Sequence, residues 1–206
     1  MNAGAVLRCV LGVVLAMSAP ALGQTPTLAT TFGDQGFHCP PAGTVVVREV
    51  AGLPYSVTYA GTDPADPEGC LAPANAKLTS YLFGLVNKHR YRAADFAAGY
   101  RKVLLGPPGT VAEFQYTEPG FGEYDERYEN EALETLDVAG EARPTIRIAV
   151  TEKSLSRGGF EVRYHRWFDV QTGALIRQTY ELVSGKPPSN ARGDENWTVT
   201  SITVPK

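Results

Sequence analysis

Between Thr110 and Val204 the chain alternates six β-patterned runs with turn residues, and no other feature limits its fold as tightly. The runs are Thr110 to Thr117, Glu123 to Val138, Arg143 to Thr151, Phe160 to Asp169, Ala174 to Val183 and Asn196 to Val204. Pro119-Gly120, Ala139-Gly140, Arg157-Gly158-Gly159 and Gln171-Thr172-Gly173 punctuate them, as glycine and proline do where a chain reverses. Parallel neighbours would need crossovers of about a dozen residues, so strands joined by links this short pair antiparallel. The expected core of the fold is a meander.

Upstream the period changes. From Tyr91 to Leu105 the apolar residues Phe96, Tyr100, Val103 and Leu104 recur at helical spacing with Ala93 and Ala97 beside them, and Gly106-Pro107-Pro108 stops the helix. Thr44 to Val50 and Tyr55 to Ala60 read as a first hairpin joined by Ala51-Gly52-Leu53-Pro54, with Tyr55, Val57 and Tyr59 alternating against Ser56 and Thr58. Lys77 to Leu85 reads as a further strand, and Asp63-Pro64-Ala65-Asp66-Pro67-Glu68-Gly69 as a loop. The fold class is α+β: a curved antiparallel β-meander of six to nine strands packed around one main helix.

Residues 1–23 have the make-up of an export signal. Arg8 supplies the positive charge, Val10 to Met17 the apolar core, and Ala21-Leu22-Gly23 the small residues before cleavage at Gln24. That core falls well short of the roughly 20 residues of a membrane-spanning helix, and Cys9 lacks the small residues that precede a lipidated cysteine. Residues 24–38 form a Thr-rich flexible leader and 39–206 a single β-rich domain. The expected product is periplasmic or secreted, with no transmembrane segment in the mature chain. Losing Arg8 from 19 basic residues leaves 18 against 22 acidic ones, a balance that argues against nucleic acid as a partner. Cys39 and Cys70 are then the mature cysteines, and in an oxidising compartment they are expected to form a disulfide.

The hairpin around Gly173 fixes a register. With Gln171-Thr172-Gly173 as its loop and Gly173 left-handed, Arg163 opposes Glu181, His165 opposes Thr179 and Trp167 opposes Arg177. Phe160, Val162, Tyr164 and Phe168 then share an apolar face with Ile176, Tyr180 and Leu182. Arg166 and Gln178 fall opposite each other on that face. A buried guanidinium needs partners, so Glu126 is expected as its carboxylate and Gln178 as a hydrogen-bond acceptor; the alternative places Arg166 at the sheet margin, reaching to water.

The usual catalytic equipment is missing from the sequence: no G-x-S-x-G, no H-E-x-x-H, no phosphate-cradling glycine loop. His38, His89 and His165 have no ligand spacing and read as surface histidines, so neither metal nor cofactor is expected. Glu113, Glu118, Glu123, Asp125, Glu126, Glu129, Glu131 and Glu134 are acidic enough for carboxylate chemistry, yet the odd positions from Glu123 to Glu131 describe a solvated strand face. The even positions Tyr124, Glu126, Tyr128 and Asn130 would face inward and need partners. Lys88, Arg90, Arg92, Arg101 and Lys102 collect near the helix, where they could meet anionic lipid or an acidic partner, or simply balance neighbouring acids. Asp63, Asp66 and Glu68 lack the spacing of a calcium loop, and Asn196-Trp197-Thr198 is a glycosylation sequon inside an expected strand.

Tyr164-His165-Arg166-Trp167-Phe168-Asp169 with Gln171-Thr172-Gly173 and Ile176-Arg177-Gln178 resembles the W-[FY]-D-x-x-T-G strand pair of uncharacterised bacterial exported β-rich domains. Ala139-Gly140 followed by Ile146 and Ile148 is similar to the strands that precede it there. Such curved sheets resemble the half-barrel of periplasmic lipoprotein carriers, which implies a greasy cavity for acyl chains; this chain departs from carriers in having one helix. The resulting expectation is a non-enzymatic binding domain for a hydrophobic small molecule or an envelope protein, with Tyr116, Tyr124, Glu126, Tyr128, Tyr164, Arg166, Gln178 and Tyr180 lining the site. The competing expectation is a carboxylate-dependent hydrolase of the cell envelope built on Glu126 with Arg166.

Overall fold

A computed structural model describes residues 37–74, 77–84, 86–87, 93–118, 122–156, 159–186 and 196–206. Residues 1–23, read from the sequence as an export signal, His89 and the basic residues Lys88, Arg90 and Arg92 lie outside the described residues. The elements are β1 (Val45–Val50), β2 (Leu53–Thr58), β3 (Gly61–Asp63), β4 (Asp66–Ala74), β5 (Lys77–Leu82), β6 (Val86–Asn87), α1 (Ala93–Leu105), β7 (Val111–Glu118), β8 (Gly122–Val138), β9 (Glu141–Ser154), β10 (Phe160–Asp169), β11 (Leu175–Gly185) and β12 (Trp197–Thr203). Strands β7 to β12 run as the expected meander, and the β1–β2 hairpin joins its edge by pairing β1 with β12. The resulting eight-stranded antiparallel sheet has the order β2-β1-β12-β11-β10-β9-β8-β7, and it coils far enough to bring β12 against β8.

A second sheet, β3-β4-β5-β6, corrects the reading of residues 63–69 as a loop. Only Pro64 and Ala65 turn there, with Asp63 opposite Asp66. Pro67 falls where the β3–β4 register shifts between Thr62–Cys70 and Asp63–Asp66, so its missing N–H costs the ladder nothing. The carboxylates hold the turn: Asp63 Oδ1 accepts from Ala65 N–H at 2.9 Å and Asp66 Oδ1 from Glu68 N–H at 3.0 Å. Glu68 pairs with Arg101 of the helix, which ties part of the basic group to this sheet.

The helix covers β7, β8 and β9. Phe96, Tyr100, Val103 and Leu104 pack on Tyr128, Ile146, Ile148, Val150 and Phe168, with Phe96 stacked 4.4 Å from Phe114 and Tyr100 edge-on to Tyr128 at 4.6 Å. Gly99 lets Phe114 approach: a Cβ there would lie 2.4 Å from the ring tip. Asn130 closes the helix end by donating from Nδ2 to the carbonyls of Val103 and Gly106, groups that have no partner within the helix. A second cluster, with Val46, Val138, Trp167, Ile176, Trp197 and Val199, sits where the sheet coils on itself.

Two bulges decide which side chains reach which cluster. Glu131 has no opposite number on β9, so Tyr124, Glu126, Tyr128 and Asn130 face the helix while, beyond the bulge, Leu136 and Val138 join the second cluster. The Gly173 hairpin has the expected register from Val162–Leu182 to Trp167–Arg177, then shifts so that Phe168 opposes Leu175 and Ile176 is unopposed. Ile176 therefore packs with Trp167, correcting its placement beside Phe168, and Leu182 is 45% exposed because β11 runs out past its cover. The loop also gains Val170, closing on Asp169 and Ala174. The D-x-x-T-G motif is the architecture of this turn: buried Asp169 accepts from Thr172 N–H and Oγ1 and from Arg143, while Gly173 at φ +71° lets the His38 carbonyl approach.

Candidate functional site

Cys39 and Cys70 are disulfide-bonded, with their Cα atoms 5.2 Å apart, as expected. The bond fastens the N-terminal segment to β4 and helps hold the small sheet over the large one. Beneath it lies a row of paired residues, Ile148–Arg166–Gln178–Trp197, that crosses four strands on one face. Stacked sheets stand roughly 10 Å apart, a gap that large side chains must fill. The small sheet offers Cys70, Ala72, Pro73 and Tyr81 with Gly84 beside them, and a cleft of about 270 Å³ remains between the sheets.

Val57, Tyr59, Leu175 and Trp197 give this cleft an apolar and aromatic wall, and Arg48, Arg166 and Gln178 give it polar groups. Arg166 donates from Nε to Gln178 Oε1 at 2.9 Å and lies 5.0 Å from the Tyr164 ring. The Arg48 guanidinium rests 4.8 Å from the Tyr55 ring and 4.7 Å from that of Trp197. Burial pushes the Tyr59 phenol up to about 12, against the pull of the Arg48 charge and of a backbone hydrogen bond from Leu175. Tyr81 is raised as well, by burial and then by Tyr55, with Arg48 opposing. Both phenols remain protonated donors at neutral pH.

The eight residues expected from sequence share one sheet face but divide into two groups. Tyr164, Arg166, Gln178 and Tyr180 cluster on β10 and β11, with Tyr164 and Tyr180 5.4 Å apart. Only Arg166 and Gln178 of these line the cleft. Tyr116, Tyr124, Glu126 and Tyr128 lie on β7 and β8, where Tyr116 stacks on Tyr124 at 5.3 Å. Glu126, 3% exposed, accepts from Tyr116 at 2.9 Å and Tyr128 at 2.8 Å, and among the described residues it forms no ion pair with Arg166. That corrects the expected carboxylate partner: two phenols occupy Glu126 while Arg166 turns to Gln178. Burial, reinforced by the Glu126 charge, holds the Tyr128 phenol well above its ordinary range.

Sequence reading missed Arg48. Its signal was its parity with Val46 and Val50, which places a cation in the row of an apolar strand face. The remaining candidates serve the structure: His38 Nε2 lies 3.2 Å from the Gln171 carbonyl, His165 lies 3.4 Å from Glu131, and Asn196 Oδ1 accepts from Tyr180 N–H. Among the described residues no group of three His, Cys, Asp or Glu side chains is placed to hold a metal, and no helix is long and apolar enough to cross a membrane. A wider depression of about 590 Å³ on β7 to β10 is lined by Glu113, Asp125, Arg127, Lys153 and Glu161. Its charges alternate in sign, and Arg127 is already paired with Glu113 and Glu129, as on a solvated sheet face.

No family model matches the chain, and neither does any curated protein. Among solved structures it is similar to the hypothetical lipoprotein YmcC from Escherichia coli K12, at 14% identity over 75% of this chain and 89% of that one, with a TM-score of 0.44. It is also similar to an exported protein with a YmcC-like fold from Bacteroides fragilis, at 10% identity over 82% of this chain and 99% of that one, with a TM-score of 0.40. Likeness at this level carries no argument about ligand or activity.

Proposed function

We propose that the chain is a periplasmic or secreted binding domain that takes a small, mostly apolar ligand in the cleft between its two sheets. The observation that carries this reading is the cleft itself, an incompletely filled aromatic gap with a few fixed polar groups, which is the usual make-up of a ligand site. The disulfide supports a location outside the cytoplasm. A hydrolase reading would start from Glu126, but its carboxylate is buried and held by two phenols, which supports a structural role.

Titration with the neutral, environment-sensitive dye 1-naphthylamine tests the proposal. Saturable enhancement and blue shift of its fluorescence are expected, and Ala72→Phe, which fills the cleft from β4, should abolish them while the urea midpoint stays near that of the parent. Non-saturable binding, or binding indifferent to Ala72→Phe, would overturn it.

A further inference from the structure

We infer that the cleft ligand carries an oxyanion, a carboxylate or a phosphate, seated between Arg48 and Arg166. This rests on the binding reading above and specifies the class of ligand. Three observations converge on it. First, the cleft lining contains two arginines and no aspartate or glutamate. Second, neither guanidinium has an ion pair among the described residues, a state they share with Arg163 and Arg177 outside the cleft, whereas Arg101, Arg127, Arg143 and Arg147 each hold at least one carboxylate. Third, both are already held in place. Arg48 lies against two aromatic rings with its Nε buried and lacking a hydrogen-bond partner, and Arg166 is fixed through Nε by Gln178.

Chemistry favours an anion over a neutral polar group. A guanidinium keeps its charge at any physiological pH and offers a planar fork of N–H donors that matches carboxylate and phosphate oxygens. Ring contacts leave the edge of the Arg48 plane to do the donating, and the bond to Gln178 leaves the terminal nitrogens of Arg166 for the ligand. Apolar walls then lower the local dielectric, so each charge-assisted bond counts for more than it would at the surface. Tyr59 and Tyr81, kept protonated, can add hydroxyl donors.

Volume limits the ligand's body. At the ~30 Å³ that a water-sized group occupies in a liquid, 270 Å³ holds roughly ten non-hydrogen atoms, so the ligand is a compact amphiphile or the head and first few carbons of a longer one. Octanoate, with about ten such atoms, is a probe of that size.

The test compares octanoate, octyl phosphate, 1-octanol and octylamine by isothermal titration against the full mature protein with its disulfide intact. Octanoate or octyl phosphate should bind at least about tenfold more tightly than 1-octanol, and octylamine should bind more weakly still. The preferred head group of the first two separates a carboxylate ligand from a phosphate ligand. Arg48→Met and Arg166→Met should each weaken the anion about tenfold and 1-octanol far less, with Arg→Lys restoring part of the anion loss; the urea midpoint reports that each variant is folded. Equal affinity for all four probes, or anion binding indifferent to both arginine variants, would overturn the anion inference and leave the binding proposal standing. No saturable binding of any probe would remove both.

Discussion

One face of the large sheet is covered in two different ways. Over β7 to β9 the helix lowers Phe96 and Tyr100 onto the strands, where Glu126 accepts from two phenols and Asn130 donates through Nδ2 to the helix carbonyls, with its Oδ1 buried and lacking a hydrogen-bond partner. Over β10 to β12 the cover is a sheet that turns the small residues Cys70, Ala72 and Pro73 inward, with Tyr81 as its one large side chain on the cleft, and two arginines meet a gap without a carboxylate. The difference teaches that a fold stabilises itself where its cover can interdigitate, and leaves room for something else where it cannot. Aromatic content alone does not separate the two ends, since both are rich in tyrosine.

Four experiments would break or sharpen that contrast. The largest effect is expected from Cys39→Ser with Cys70→Ser. Opening a bridge across a sequence separation of 31 should cost about 3 to 4 kcal/mol in urea unfolding. Hydrogen exchange should place the loss of protection in β3 to β5 and spare α1 and β8; uniform loss would mean that the two ends do not act separately. At the helix end, Gly99→Ala should cost about 2 kcal/mol, because overpacking against Phe114 outweighs the roughly 1 kcal/mol gained in helix propensity. A higher urea midpoint would show that Phe114 yields.

Arg166→Met should cost less than about 1 kcal/mol, since no described carboxylate is stranded by it, and should add independently to Glu126→Gln. Coupling above about 0.5 kcal/mol in a double-mutant cycle would restore the ion pair that the structure replaces with Gln178. The mildest perturbation is alkali. A phenol whose folded pKa is raised contributes stability that is complete below the unfolded value near 10 and is lost as pH climbs through the folded one. Tyrosinate absorbance should therefore show exposed tyrosines ionising first and Tyr59 at about 12, with Tyr128 also held back by its burial and the Glu126 charge. Tyr59 titrating with the exposed group would show that the cleft is open to bulk water.

Much of the fold was legible because alternation and turn residues are local signals. Phe160–Asp169 was legible to the residue, and the Gly173 register followed from a left-handed glycine in the turn together with the opposite charges of Arg163 and Glu181 across the strands. Bulges were not legible: one extra residue at Glu131 or Ile176 reverses a face without leaving a compositional mark. The short strands of the small sheet were hidden by Pro64 and Pro67, whose place in a turn and in a register shift depends on partners distant in sequence. The site was half visible. Arg166 and Gln178 came from pairing within one hairpin, but Arg48 reaches them only because β1 and β12, remote in sequence, lie side by side.

That adjacency also sets an order of assembly. The meander from β7 to β11 needs only contacts between neighbours, whereas β1 is hydrogen-bonded to it through β12, so loop closure over most of the domain must precede the last seam. In pulse-labelled refolding, amides of β1 should gain protection with those of β12 and after those of β9; protection of β1 ahead of β12 would refute the order. Arg48 arrives with that seam, so a chain halted before Trp197 would hold Arg166 and Gln178 ready and have nothing to face them: the cleft is completed last, in the final act of folding.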